Sequence, residues 1–317
     1  MQSLHKQLLF ELDRFKVKKL DSIFIGGGTP STIDSKLYYP IFKTLQPYIK
    51  IDTEITTEAN PNSSTISWIE GMKNLGVNRI SFGVQSFDTK KLKHLGRSHN
   101  YKDAIDSVLY ADKLGIKNIS IDLIYGTKFD SISLLDKDLN IAFNLPINHL
   151  SAYSLTIEEN TLFEKSPSMA KDDLELTNWI IENINKKLPQ YEISNFGIYQ
   201  SIHNKGYWQL KNYLGIGAGA VGFLDNKRFY PIIDIKTYIQ NPLKHTTENL
   251  STKDIFLEKL FLGLRSNIGV NKNILTTIQQ QDKVEVLIKE NKIIQNGNFL
   301  FNTNYLIADE IALFLSD

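Results

Sequence analysis

Through the first half of the chain, short β-rich runs that stop abruptly at polar or glycine residues alternate with longer amphipathic stretches. Asp21–Ile25 runs into Gly26-Gly27-Gly28-Thr29-Pro30, Thr53–Thr57 into Glu58-Ala59-Asn60-Pro61, and Asn78–Val84 into Gln85. Lys117–Ile124 carries Asp122 within an apolar run, and His149–Leu155 is the last of the series. Helical patterns fill the gaps over 34–48, 65–75, 101–114 and 134–143, with Gly76 and Gly115 as stop signals. An amphipathic helix precedes the first strand. Strands spaced roughly 25–40 residues apart, each pair bridged by a helix, are βαβ units, which require right-handed crossovers and a mainly parallel sheet.

Both a (β/α) barrel and a doubly wound sheet satisfy that pattern, and periodicity does not separate them. The polar residues favour the barrel: Gly26–Thr29, Glu58, Gln85 and Asp122 all fall at or near the carboxyl ends of successive strands, which converge on one mouth in a barrel. Beyond residue 155 the rhythm changes. A polar connection over Glu158–Glu175 leads into a helix over 174–187, then a glycine- and aromatic-rich block contains YEISNF, HNKGYW and YLGIGAGAVGF. The glycines of that block serve either close backbone packing or contact with a ligand. From Ser251 the pattern is helices plus a hairpin signalled by Asn296-Gly297, a small winged-helix-like α+β module. The expected division is therefore 1–157 as a partial barrel core, 158–250 as barrel completion and connection, and 251–317 as the C-terminal module.

A winged-helix pattern raises nucleic-acid binding, but Lys253–Asp317 holds 7 basic and 8 acidic residues, no footprint for phosphates. The whole chain, with 36 basic and 35 acidic residues, gives no electrostatic case for nucleic acid or an acidic membrane. It has neither a signal-peptide pattern nor a run of about 18 uncharged apolar residues, so no transmembrane segment is expected and the expected location is cytoplasmic. It also has no cysteine, which excludes disulfides, cysteine nucleophiles and thiolate ligands for zinc or iron–sulfur clusters in the chain as written.

Each polar strand-end residue has a plain reading and a chemical one. The glycine run is either a tight turn or bare backbone approaching a polar ligand, and it matches neither GxGxxG nor a P-loop. Glu58 is a capping acid or the counter-charge of a ligand ammonium. Arg97 forms a surface ion pair or grips a carboxylate with its planar fork. Asp122 favours function, because a carboxylate in an apolar strand is costly unless paired or bound. One acid for an ammonium, one guanidinium for a carboxylate, and Gln85 with Asp122 for a diol suit a ligand that joins an amino acid to a ribose.

The segments FIGGGTPS, TEANP, GVNRISFGVQSF, LGRSH, ISIDLIYG, HLSAYSLTIEENT, YEISNF, HNKGYW and YLGIGAGAVGF, in this order, resemble the radical S-adenosylmethionine (SAM) proteins of the oxygen-independent coproporphyrinogen III oxidase group. The resemblance covers nearly the whole chain and is nearest to the heme-chaperone branch, through His203, Asn204, Tyr207 and Trp208. It implies a radical-SAM (β/α) barrel. It also implies SAM binding by Gly27, Gly28, Thr29, Glu58, Gln85, Arg97 and Asp122, with Thr156 lining the site, and His203 as heme ligand or, alternatively, a hydrogen-bonded packing residue. The partners implied are heme or a porphyrinogen, heme-accepting proteins and an electron donor; no catalytic residue is singled out.

Two departures from the family pattern stand out. Family members hold a [4Fe–4S] cluster by C-x-x-x-C-x-x-C on a loop after a first barrel strand; this chain begins in what would be the following helix and has no such ligands. The expectation is a partial barrel lacking that strand, inactive in SAM cleavage as written, with an upstream in-frame stretch encoding the motif. Where the family continues Gly-Leu-Pro after the Asp122 strand, this chain has Gly126-Thr127-Lys128. The function implied is a heme chaperone that also binds SAM. The alternatives are a coproporphyrinogen III dehydrogenase-type decarboxylase, a cluster-free heme- or SAM-binding protein, and a nonfunctional fragment.

Overall fold

A computed structural model of the chain describes residues 1–157, 163–164 and 166–316. Residues 158–162 and 165 of the connection expected over Glu158–Glu175 lie outside the described residues. In chain order the first elements are α1 (Gln2–Arg14), β1 (Leu20–Ile25), α2 (Tyr39–Leu45), β2 (Ile49–Ala59), α3 (Ile66–Asn74), β3 (Arg79–Gln85) and α4 (Thr89–His94). They continue with α5 (Tyr101–Lys113), β4 (Asn118–Tyr125), α6 (Ile132–Phe143), β5 (His149–Ser154), α7 (Leu174–Asn185) and β6 (Asn195–Gly197). The six strands form one sheet in the order β1-β2-β3-β4-β5-β6, parallel from β2 to β5 and antiparallel at β5/β6, curled into a half-barrel. The partial α/β barrel expected from the polar strand ends and the family resemblance is the architecture of this chain.

Local chemistry explains the helix limits. Side chains of Thr65, Asp88, Asn100, Ser131 and Asp173 cap the starts of α3, α4, α5, α6 and α7, each contributing on the order of 1 kcal/mol. Gly76, Gly96 and Gly115 follow the ends of α3, α4 and α5 with φ of +106°, +68° and +79°, a region where a Cβ would strain the backbone. The helix expected over 34–48 is broken into a 3₁₀ turn at Ser35–Tyr38, α2, and a second 3₁₀ turn at Gln46–Tyr48. Pro40 sits in the first turn of α2, where its missing N–H costs nothing, whereas Pro47 cannot donate and stops the helix.

Cross-strand register sorts the sheet into two chemically different faces. Phe82, Ile121, Leu150 and Phe196 are aligned across β3 to β6, and with Ile80, Val84, Ile119 and Leu123 they form a buried apolar face. Helix α5 packs on β3 and β4 through Ala104, Val108 and Ala111. Each large aliphatic group fully buried there contributes about 1.5–3 kcal/mol. The other face is polar on every strand from β2 to β6: Glu54, Thr56 and Glu58; Arg79 and Ser81; Ser120 and Asp122; His149 and Ser151; Asn195. Hydrogen bonds make this face tolerable. His149 is bonded at both ring nitrogens, to Ser120 Oγ at 2.7 Å and Tyr191 Oη at 2.8 Å, and Tyr199 Oη donates to Glu54 Oε2 at 2.8 Å.

Contacts divide the chain into two compact units: Ser22–Tyr39 with Asp52–Gln200, which holds most of this sheet, and Met1–Asp21 with Pro40–Ile51 and Ser201–Asp317. In the second unit α8 (Ile202–Trp208) precedes an antiparallel sheet of β7 (Gly222–Leu224), β8 (Lys227–Pro231) and, after α9 (Ile235–Gln240), β9 (His245–Asn249). The strand–helix alternation of the first half does not extend to that sheet. Its signal is Asp225-Asn226, both at positive φ (49° and 62°) in a two-residue hairpin loop. The C-terminal part contains α10 (Thr252–Leu264), β10 (Val270–Asn271), α11 (Ile278–Lys289), β11 (Ile293–Asn296), β12 (Phe299–Asn302) and α12 (Ala308–Ser316). Its sheet order is β10-β12-β11, over a core that includes Leu260, Leu264, Leu287, Leu300 and Ile311. The expected hairpin is present, but its loop is Gly297-Asn298; Asn296 is the last paired residue of β11, and Gly297 takes the positive φ of +56°.

Candidate functional site

The polar strand ends gather around one group of acids. β1 ends at Ile25, and the glycine run turns so that Gly27, at φ +101°, donates its amide to the Glu58 carboxylate at the end of β2. A Cβ on Gly26 would lie 2.5 Å from the Phe24 ring and 3.3 Å from the Glu58 carboxyl carbon, so this glycine is needed for close approach. Cβ atoms on Gly27 and Gly28 would meet nothing within 4 Å, and both residues are exposed. Their backbone faces open space.

Asp122, from β4, is held by Ser81 Oγ at 3.1 Å and by the Ser151 side chain. Burial raises its carboxyl above the ordinary value, against those hydrogen bonds and the nearby Arg79 and Arg97 charges. Burial and the charge of Asp122 push Glu58 up to about 7. Glu58 is thus raised both by burial and by the neighbouring acid, with the Gly27 amide alone acting to lower it.

Gln85 is buried at the end of β3, at φ +67° beside a register shift between Phe82 and Gln85. This bulge folds its amide back over Gly83, where a Cβ would come within 2.9 Å of Nε2. Arg97 follows Gly96 at the end of α4; its amide donates to Leu92 O at 2.9 Å, and partial burial lowers its guanidinium against the opposing charge of Asp122. Thr156 is exposed beyond β5 and bonds weakly to Ser154 O at 3.5 Å. Glu58 and Arg97 thus both lie in the field of Asp122, Gly27 binds Glu58, Gln85 lies at the neighbouring strand end, and Thr156 bonds back to its own strand. His203 belongs to the other compact unit, half-buried on α8 with its ring edge-on to Tyr207 at 4.8 Å.

Two residues on the polar face were missed. Glu192 is only 1% exposed, accepts from Ser194 N at 3.3 Å and from Asn195, and leaves Oε1 without a hydrogen-bond partner among the described residues. Burial pushes it up to about 7. Tyr153, which bonds with Ser151 and Asn195, lies in the field of both Asp122 and Glu192. The signal for Glu192 was an acid inside the otherwise uncharged YEISNF.

Comparison with known proteins bears on this geometry. The profile of the Radical SAM superfamily matches residues 5–139. The heme chaperone HemW of Lactococcus lactis is 34% identical over 281 residues, covering 84% of this chain and 74% of the relative. This chain belongs to the HemW-like radical SAM family. HemW of Haemophilus influenzae is 32% identical, covering 100% of this chain and 86% of its own length. The fold is also that of Escherichia coli coproporphyrinogen III oxidase HemN, described as a radical SAM enzyme. That match has a TM-score of 0.81 at 16% identity and covers 99% of this chain and 82% of the other. Against this family background the chain has no cysteine and so offers no thiolate ligand for a cluster. No described helix is long and apolar enough to cross a membrane.

Proposed function

We propose that this chain binds SAM at the strand ends of the half-barrel and heme through His203, in the manner of a heme chaperone. The observation that supports the SAM reading is the buried Glu58 carboxyl, raised in the field of Asp122, beside the exposed glycine backbone. When bound, SAM presents a cationic sulfonium between an amino acid and a ribose. In this reading Glu58 takes the ammonium while the Gly27, Gly28 and Thr29 backbone lies against the same end. Arg97 grips the carboxylate, Gln85 and Asp122 receive the ribose hydroxyls, and Thr156 lines the edge. These residues suit the ligand because Glu58 and Arg97 carry charges opposite to its ammonium and its carboxylate.

The residues present do not fit a [4Fe–4S] cluster, since a site of that kind needs thiolates and the sequence has none. The reading is therefore one of binding, with no step drawn through a cluster. For heme, a neutral imidazole of His203 beside Tyr207 would supply a nitrogen ligand for the iron, and a heme-accepting protein is the partner proposed. Calorimetric titration with SAM tests the first site: saturable binding weakened by Glu58→Gln and by Arg97→Ala is expected, and no binding to the wild type overturns it. A heme titration tests the second. A Soret shift lost in His203→Ala is expected; a shift unchanged in that variant removes His203 from the reading.

A further inference from the structure

Lys91 lies on α4, in a run (Lys90, Lys91, Lys93) that reads as a solvated face, yet its side chain is 0% exposed and pairs at 2.6 Å with Asp130, also 0% exposed. Such a pair is not explained by stability, because desolvating both ions offsets most of their attraction. Its position is informative. Asp130 Oδ2 accepts the Thr127 amide at 2.8 Å, which fixes the turn after β4 at the point where the chain departs from the family's Gly-Leu-Pro. Asp138, from α6, accepts Ser86 Oγ at 2.7 Å and the Phe87 amide at 2.8 Å, which fixes the turn after β3, and it lies in the field of both Lys91 and Asp130.

The ion pair thus ties α4 to the turn after β4, Asp138 ties α6 to the turn after β3, and the three charges lie in one another's field. The two turns leave the strands that carry Gln85 and Asp122. Helix α4 ends in the Leu95 N to Lys91 O, Gly96 N to Lys93 O and Arg97 N to Leu92 O bonds that set where Arg97 begins. We infer that Lys91 is a positioning residue: its buried ion pair with Asp130 holds the turn after β4 and the α4 terminus so that Arg97 meets the ligand carboxylate beside Asp122. The inference rests on the SAM reading for the ligand, though not for the coupling between the two segments.

The test uses the full chain with Lys91→Met/Asp130→Leu, which removes both charges together and so avoids leaving one ion stranded, and with Asp130→Asn as a milder second variant. Hydrogen exchange of the ligand-free protein should show the Thr127 and Arg97 amides deprotected in both variants while β5 amides keep their protection. Unchanged protection at Arg97 overturns the inference, whether or not SAM binds. In titrations, the variants should bind SAM about tenfold more weakly, the scale of one hydrogen bond to a charged group. Decarboxylated SAM should be affected far less, and the loss should disappear in an Arg97→Ala background. Equal losses for both ligands, additive with Arg97→Ala, would also overturn it. Failure of the wild type to bind SAM removes the ligand reading and leaves exchange to decide the coupling.

Discussion

The amide of Gly27 donates to the carboxylate of Glu58, and that single bond is too little to hold the carboxylate ionised against burial and the charge of Asp122. Glu58 consequently keeps its proton up to about pH 7 in the folded chain, compared with the ordinary value of 4.5. Folding then retains a proton between those two values, so stability falls as pH rises through the window and levels off above it. Glu58→Gln should melt higher than the wild type at pH 8 and show little difference near pH 4.5. Melting curves at both pH values check this, and a variant less stable at pH 8 would contradict it.

Glu192 follows the same sign for a different reason. Its carboxyl is raised from 4.5 to about 7 chiefly by burial, against hydrogen bonds from Ser194 and Asn195. Its proton is likewise retained on folding, and the stability it brings is lost between those values as pH rises. A glutamine keeps an acceptor for Ser194, so Glu192→Gln should also raise the melting temperature at pH 8. Combined with Glu58→Gln it should flatten the pH profile further than either change alone.

The strand ends were legible because strand termination and polarity coincide there: Gly26–Thr29, Glu58, Gln85 and Asp122 each interrupt an apolar or glycine-bounded run. Spacing does not reveal burial, and this hid Lys91, which reads as one lysine among several, and Glu192, whose motif carries no periodic signal. The β7–β8–β9 sheet was hidden by a glycine-rich approach and a Lys-Arg-rich strand, and only Asp225-Asn226 marked its turn. The YLGIGAGAVGF block left packing and ligand contact as alternatives. In the structure Gly215 lies against backbone: a Cβ there would be 2.0 Å from Ala220 O and 2.4 Å from Val221 O.

That contact makes Gly215→Ala costly, because carbonyl oxygens of a folded loop cannot swing aside as a side-chain end can. Overpacking of this kind costs about 1–3 kcal/mol. Gly206 provides the control, since it lies within α8 and its Cβ would meet nothing within 4 Å. Gly206→Ala should be neutral or stabilising by up to about 1 kcal/mol through helix propensity. Urea denaturation of the two variants side by side checks the contrast. Equal effects would mean that the Gly215 loop relaxes freely.

The Lys91–Asp130 pair makes the sharpest stability prediction. Lys91→Met leaves Asp130 buried beside Asp138 with no cation, and removing one partner of a buried pair typically costs about 3–5 kcal/mol. Lys91→Met/Asp130→Leu removes the stranded charge; its remaining loss is the acceptor for the Thr127 amide, worth about 1–3 kcal/mol when left buried and unsatisfied. The double variant should therefore be more stable than Lys91→Met alone, and the urea midpoints give the order directly. If Lys91→Met is as stable as the wild type, the ion pair contributes nothing to the fold.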